Sequence, residues 1–142
     1  MVRTAVLLLL LATTLPATAG TAATGGEALY REECGACHLA YPPRFLPAES
    51  WRALMAGLAD HFGEDASLAP ATAAAIESYL VAHARTRRVR ADRWPPLRIS
   101  ELRWFRHEHE EEVSPRAFRR AGTWANCGAC HRDAERWRFD DD

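Results

Sequence analysis

The sequence predicts an all-α fold. Apolar residues recur at spacings of three and four, prolines lie in the connections between these periodic stretches, and few alternating runs of β-branched residues occur. Spacings of three and four place side chains on one face of an α-helix, whereas a half-buried strand alternates apolar and polar residues. We therefore expect helices joined by proline-containing loops, and no sheet.

The first 19 residues have the pattern of a secretory signal peptide. Arg3 supplies a positive charge, residues 5–12 form an apolar stretch, and Ala17 and Ala19 form an A-x-A cleavage pattern. The apolar stretch is shorter than the roughly 20 residues that a membrane-spanning helix needs. The sequence therefore predicts a signal peptide at 1–19, cleavage after Ala19, and no membrane span in the mature chain.

The pentapeptide CGACH occurs at residues 34–38 and again at 127–131, and the two copies contain all four cysteines. A C-x-x-C pair can be a thioredoxin-like redox site, half of a zinc site, or a c-type haem attachment site when histidine follows directly. A zinc ribbon needs its two pairs roughly 15 to 20 residues apart, and a thioredoxin motif needs a neighbouring βαβ pattern. The sequence shows neither feature.

Haem attachment accounts for each fixed letter of the motif. Two thiols three residues apart can form thioethers with the two vinyl groups of one haem, and the adjacent imidazole can bind its iron. Bacterial c-type haem is attached outside the cytoplasm, which agrees with export and predicts a periplasmic location. The predicted attachment residues of two covalent haem c groups are Cys34, Cys37, Cys127 and Cys130, with His38 and His131 as iron ligands.

Two amphipathic helices are predicted after the first motif. Apolar residues recur with helical spacing from Pro47 to Gly63, and Gly63 supplies a stop. A second helix is predicted from Leu68 to Ala84, with Pro70 in the first turn, where proline is tolerated. Residues 84–98 then carry six arginines and one aspartate. This segment is either a solvated linker or a source of guanidinium groups that neutralise haem propionates.

The sixth coordination position of each iron decides between a carrier and an enzyme, because an open iron can bind a substrate. Met55 is the only methionine left after signal cleavage, so at most one haem can have histidine and methionine as ligands. His61 lies on the edge of the first helix's apolar face, and His83 shares a face with apolar residues of the second helix. Each has an ordinary alternative: His61 as a surface residue near a helix end, and His83 as a packed core residue.

His107 and His109 lie two residues apart in the stretch WFRHEHEEEV, so they cannot share a helical face. At most one of them can point inward. His61 follows His38 by 23 residues, and His109 precedes His131 by 22 residues. These similar spacings favour one local histidine pair in each half of the chain, although spacing alone leaves a crossed arrangement open.

Several longer motifs occur in a fixed order along the chain. They are CGACHLAYPPRFLPAESWRALMAGLADHFGEDASL at 34–68, YL at 79–80, PLRIS and WF..EH within 96–109, and WANCGACHRDAE at 124–135. In this arrangement the sequence resembles the small periplasmic dihaem cytochrome c family of proteobacteria over nearly all of the mature chain. The resemblance implies that His61 and His109 are the distal ligands, that both haems are bis-histidine, and that Met55 is a packing residue.

The same resemblance implies a class I cytochrome c-like N-terminal half and a smaller C-terminal haem-binding half. We accordingly predict c-type haem domains at 20–90 and 91–142. Family members pass electrons to a small oxygen-binding monohaem cytochrome and connect to membrane cytochrome b or quinol oxidation, so similar partners are implied here. The formal net charge of −1 lacks the excess of basic residues that is typical of nucleic-acid-binding proteins, so no nucleic-acid partner is predicted.

Two six-coordinate irons would leave no vacant site, so we predict an electron carrier and not an enzyme. The absence of axial methionine should keep the reduction potentials low, because methionine ligation raises them. The alternative, enzymatic interpretation is a dihaem peroxidase-like protein, in which one haem lacks its distal ligand. A haem-free zinc or disulfide module is a third, weaker interpretation.

Overall fold

A computed structural model of the chain describes residues 21–139, so the predicted signal peptide lies outside the described residues. This range contains five α-helices and no β-strand, which confirms the all-α prediction. The helices are α1 (Thr21–Gly35), α2 (Ala48–Ala56), α3 (Pro70–Ala82), α4 (Arg103–Glu110) and α5 (Pro115–Ala121). Within the same range, no helix has both the length and the apolar character needed to cross a bilayer.

Helix α1 leads into the first CGACH motif and packs against α3. Tyr30 is buried on its inner face, and the two helix backbones approach closely at Gly26. A β-carbon at Gly26 would lie 2.7 Å from the β-carbon of Tyr79, so only glycine fits without displacing a helix. The sequence patterns did not predict α1, because it contacts α3 through a glycine and a tyrosine and lacks a continuous apolar stripe.

Helix α2 ends at Ala56, and the predicted extension to Gly63 was wrong. Gly57 caps the helix with a non-helical backbone conformation, and its N–H donates to the Leu54 carbonyl at 3.1 Å. Glycine is a poor helix former because it loses much conformational freedom on folding. A short 3-10 turn at Leu58–Asp60 follows, so His61 lies in a loop.

Helix α3 agrees closely with its predicted range and begins with Pro70 in the first turn. Helices α1 and α2 both pack against it. The hydrophobic core around α3 consists of Tyr30, Ala40, Leu46, Trp51, Ile76, Tyr79, Leu80, Val89, Leu102 and Phe105. Leu102 and Phe105 come from beyond the predicted boundary after residue 90, so both predicted halves contribute to one core. The domain boundary itself stays a prediction.

The C-terminal part of the chain is held against the N-terminal part by polar and aromatic contacts. The Trp137 indole N–H donates to the Ala40 carbonyl at 2.6 Å. The Arg31 guanidinium carbon lies 3.7 Å from the centroid of the Trp137 ring, and Arg44 donates to the Trp137 carbonyl at 3.0 Å. Among the described residues after Phe105, only Ala134 is a buried hydrophobic residue. This region therefore has little apolar core of its own.

Candidate haem sites

The four histidines predicted as iron ligands form two pairs in the structure. The ring centroids of His38 and His61 lie 6.1 Å apart, and those of His109 and His131 lie 6.2 Å apart. Metal–imidazole bonds are about 2 Å long and each ligating nitrogen lies about 1 Å from its ring centre, so two axial imidazoles have centroids about 6 Å apart. Both pairs therefore have the spacing that one iron between two imidazoles requires.

In the N-terminal pair, the two imidazole planes are nearly parallel, with an interplanar angle of 15°. His38 follows α1 directly, and its Nδ1 donates to the Leu39 carbonyl at 2.7 Å. That hydrogen bond orients the ring and leaves Nε2 available to bind a metal ion. The His38 ring also stacks on Tyr41, with 5.1 Å between centroids.

His61 borders a cavity of about 360 Å³ between the α2 end and residues 97–98. Burial, followed by the positive charges of His38 and Arg98, lowers the pKa of His61. A lowered pKa favours the neutral imidazole, which is the form that binds a metal. The Arg98 guanidinium lies 3.8 Å from the centroid of the Phe62 ring, next to His61.

In the C-terminal pair, the imidazole planes cross at 71°. His109 lies in the last turn of α4, where its Nδ1 donates to the Phe105 carbonyl at 2.8 Å and its ring stacks on Phe105 at 3.9 Å between centroids. Trp124 packs edge-on against the His109 ring. His131 lies after a 3-10 turn formed by the second motif, and Phe139 packs edge-on against it. At least one aromatic ring thus packs against each of the two imidazoles.

The two remaining histidines make other contacts. His83 caps α3, where its Nδ1 donates to the Tyr79 carbonyl at 2.8 Å and its ring packs on the Tyr79 ring. His107 is exposed and pairs with Glu111 at 3.1 Å, one turn further along the chain. The His109 side chain, by contrast, is half-buried, which agrees with the rule that residues two apart lie on different helix faces.

No disulfide bond joins the four cysteines in the part of the chain that the structure describes. Burial, with smaller contributions from Glu33 and Cys37, raises the pKa of Cys34 to about 11, and burial also raises the pKa of Cys127. Redox-active cysteines usually have a lowered pKa. Among residues 21–139, no group of three or more His, Cys, Asp or Glu side chains could hold a metal ion. The raised thiol pKa values run counter to the thioredoxin-like interpretation.

Residues of both CGACH motifs line one cavity of about 730 Å³. Gly35 and Cys37 line it from the first motif, and Cys127 and Gly128 line it from the second. A β-carbon built on either glycine would meet no atom within 4 Å, so both backbones border open space. The donor set therefore fits two haems: each motif offers a pair of thiols, a histidine and room for a porphyrin edge.

Several residues at these sites were not predicted from the sequence. Phe105 is the clearest case, because it stacks on His109 and lies four residues before it. Helical spacing of four could have indicated that contact. Trp124 and Tyr41 both lie near a CGACH motif, but nothing in their local pattern shows that they pack against a particular imidazole.

Comparisons with known proteins identify a family and several similar solved structures. The family model for dihaem cytochrome c matches residues 30–139. A solved structure of a diheme cytochrome c from Rhodobacter sphaeroides is 54% identical, covers 77% of this chain and 93% of its own, and has a TM-score of 0.71. A second structure, of DHC purified from the same organism, is 55% identical, with coverages of 79% and 96% and a TM-score of 0.71.

A third similar structure is a diheme cytochrome type c from Shewanella baltica OS155, called sb-DHC. It is 41% identical, covers 81% of this chain and 88% of its own, and has a TM-score of 0.70. No curated protein matches the sequence.

Proposed function

Because the chain belongs to the dihaem cytochrome c family, we propose that it is a periplasmic electron carrier in which each of the two irons has two histidines as axial ligands. Family membership confirms the predicted resemblance and the predicted cofactor, two covalently bound haem c groups. It also makes the chain an electron-transfer haem protein. The proposal that each iron has two histidine ligands rests on the matching ring separation in the two histidine pairs, 6.1 and 6.2 Å.

The ligands follow from these pairs. His38 and His61 would hold the haem attached to Cys34 and Cys37. The haem attached to Cys127 and Cys130 would be held by His109 and His131. The ring separations support local pairs and not the crossed arrangement, since each distal histidine lies beside the motif histidine of its own half.

With both axial positions filled, the haems supply outer-sphere, one-electron redox chemistry when bound. The chain's residues hold the two imidazoles in place through the backbone acceptors of Leu39 and Phe105. Aromatic side chains, among them Tyr41 and Phe105, also pack against the imidazole rings. Histidine in place of methionine favours low potentials, so we propose a low-potential carrier.

The proposed partners are a small monohaem cytochrome as acceptor and a membrane cytochrome b or quinol-linked donor. The family resemblance supports these classes, and the cavity shared by the two motifs supports a short path between the haems. The exposed acidic residues 108 and 110–112 and the arginine-rich segment 84–98 give the surface a charge asymmetry that can orient a redox partner.

Anaerobic stopped-flow absorbance tests the proposed function. The fully reduced holoprotein, mixed with an excess of an oxidised small monohaem cytochrome, should deliver two electrons per molecule. A matched sample mixed with hydrogen peroxide should show no catalytic peroxide consumption, because neither iron is open. Sustained peroxide turnover would contradict the carrier proposal and favour the peroxidase-like alternative.

The different ring orientations predict two distinct low-spin signals in the electron paramagnetic resonance (EPR) spectrum of the ferric protein. Nearly parallel imidazoles, at 15°, perturb the two π-symmetry iron d orbitals unequally and should give a rhombic signal. Crossed imidazoles, at 71°, perturb them almost equally and should give a signal of large g anisotropy. The two signals should integrate to equal spin. A high-spin signal from the native protein would contradict bis-histidine ligation.

A further inference from the structure

Two buried N–H groups lack an acceptor in this structure. The Arg85 Nε and the Trp104 Nε1 each expose less than 1 Å² and have no hydrogen-bond partner. Buried donors in folded proteins are almost always paired, because desolvation without a hydrogen bond costs free energy. Arg85 as a whole is half-buried, but its Nε is enclosed. A guanidinium has N–H donors and no acceptor, so an anionic oxygen is a suitable partner for that N–H.

The two orphan donors belong to one place in the fold. The Arg85 guanidinium carbon lies 5.9 Å from the centroid of the Trp104 ring. The Arg85 backbone is fixed by its N–H, which donates to the Leu46 carbonyl at 2.9 Å. The Trp104 ring is fixed between Phe45, at 5.5 Å, and Phe105, at 5.8 Å between centroids. The charged Arg85 guanidinium and the neutral Trp104 indole N–H are therefore neighbours, and contacts with the rest of the fold hold each of them in place.

This place adjoins the C-terminal haem site. Trp104 lies in α4, the helix that carries His109. On the other side, the Phe45 ring contacts Phe139 at 5.3 Å between centroids, and Phe139 contacts His131 at 5.4 Å. A chain of ring contacts thus connects the orphan donors to both histidines of that site.

We propose that Arg85 and Trp104 form a carboxylate-binding site for a propionate of the haem held by His109 and His131. The inference rests on the proposed function. An arginine and an indole N–H suit this ligand, because a carboxylate can accept a hydrogen bond from each. A fixed positive charge beside the haem also stabilises the reduced iron relative to the oxidised iron, so this site raises the potential of the C-terminal haem.

The test is a potentiometric titration of the holoprotein followed by EPR, so that each midpoint potential is matched to its own ferric signal. Arg85→Gln should shift the reduction equilibrium of the haem with the highly anisotropic signal about tenfold toward the oxidised form, or about 59 mV for one electron. Trp104→Phe keeps the ring and removes the N–H, so it should shift the same potential downward by less.

Arg88→Gln is the matched control, since Arg88 is an exposed arginine of the same segment; it should leave both potentials unchanged. Arg85→Lys keeps the charge and loses the planar fork, so an intermediate shift is expected and covers the case in which the glutamine variant does not fold. Unchanged potentials in the Arg85 and Trp104 variants would overturn the inference and indicate a buried water at this place. A shift confined to the rhombic signal would also overturn it.

Failure of this inference is distinguishable from failure of the proposed function. If the ligand proposal is wrong, the native protein itself will lack two equal low-spin signals. If only the carboxylate site is wrong, every variant will keep both EPR signals, and the midpoint potentials of the Arg85 and Trp104 variants will equal those of the native protein.

Discussion

Replacement of His61 by alanine will let the reduced protein bind carbon monoxide at one iron per molecule, whereas the native protein will bind none. In the proposed ligation, the imidazole of His61 occupies the sixth position of that iron, because its ring centroid lies 6.1 Å from that of His38. Its loss leaves an open position beside a cavity of about 360 Å³, which is large enough for a diatomic ligand. The Soret shift on adding carbon monoxide measures the occupancy directly.

His109→Ala should have the same effect at the second iron, and the double variant should bind two molecules of carbon monoxide. His83→Ala is the matched control: that imidazole packs on Tyr79 and hydrogen-bonds its carbonyl, so its loss should leave both irons closed. Absence of binding in His61→Ala would mean that another side chain closes the first iron. Binding in the His83 variant would show that a histidine outside the two pairs is a ligand.

The parts of the site that could be predicted from the sequence are those in which chemistry fixes both residue type and spacing. Thioether attachment requires two cysteines three apart and an adjacent histidine, so Cys34, Cys37 and His38 could be recognised from five letters. The distal ligands lack such a rule. Helical periodicity alone favoured His61 and His83 alike, and only the family resemblance separated them. The ring distances in the folded chain then gave independent support to His61.

The fold was predictable in class but not in detail, for a similar reason. Periodicity identified α3 nearly to its ends because that helix has apolar residues on its buried face. It missed α1, which contacts α3 at Gly26, and it extended α2 past Gly57 because apolar residues continue beyond the glycine. The contacts of Trp137 with Ala40 and Arg31 join residues about a hundred positions apart, and no local pattern encodes such contacts.

Replacement of Cys127 and Cys130 by serine will remove one haem and unfold the C-terminal region while leaving α1, α2 and α3 folded. Folding requires buried apolar area to offset the conformational entropy of the chain. Trp51, Ile76 and Leu80 supply such area around α3. After Phe105, the described residues contribute only Ala134 to the buried hydrophobic set, so the porphyrin must provide most of the core there.

Hydrogen exchange with mass spectrometry is the suitable measurement, because it resolves the two regions in one experiment. Amides of residues 106–137 should lose most of their protection in the double serine variant, and amides of α3 should keep theirs. Intact mass should fall by one haem, apart from the change of two sulfur atoms to oxygen. The matched variant, Cys34→Ser with Cys37→Ser, should lose the other haem and expose His61 and its loop. Undiminished protection of residues 106–137 without their haem would show that the contacts of Trp137 and Arg44 suffice to hold this region. The second haem would then serve electron transfer without also serving as the core of this region.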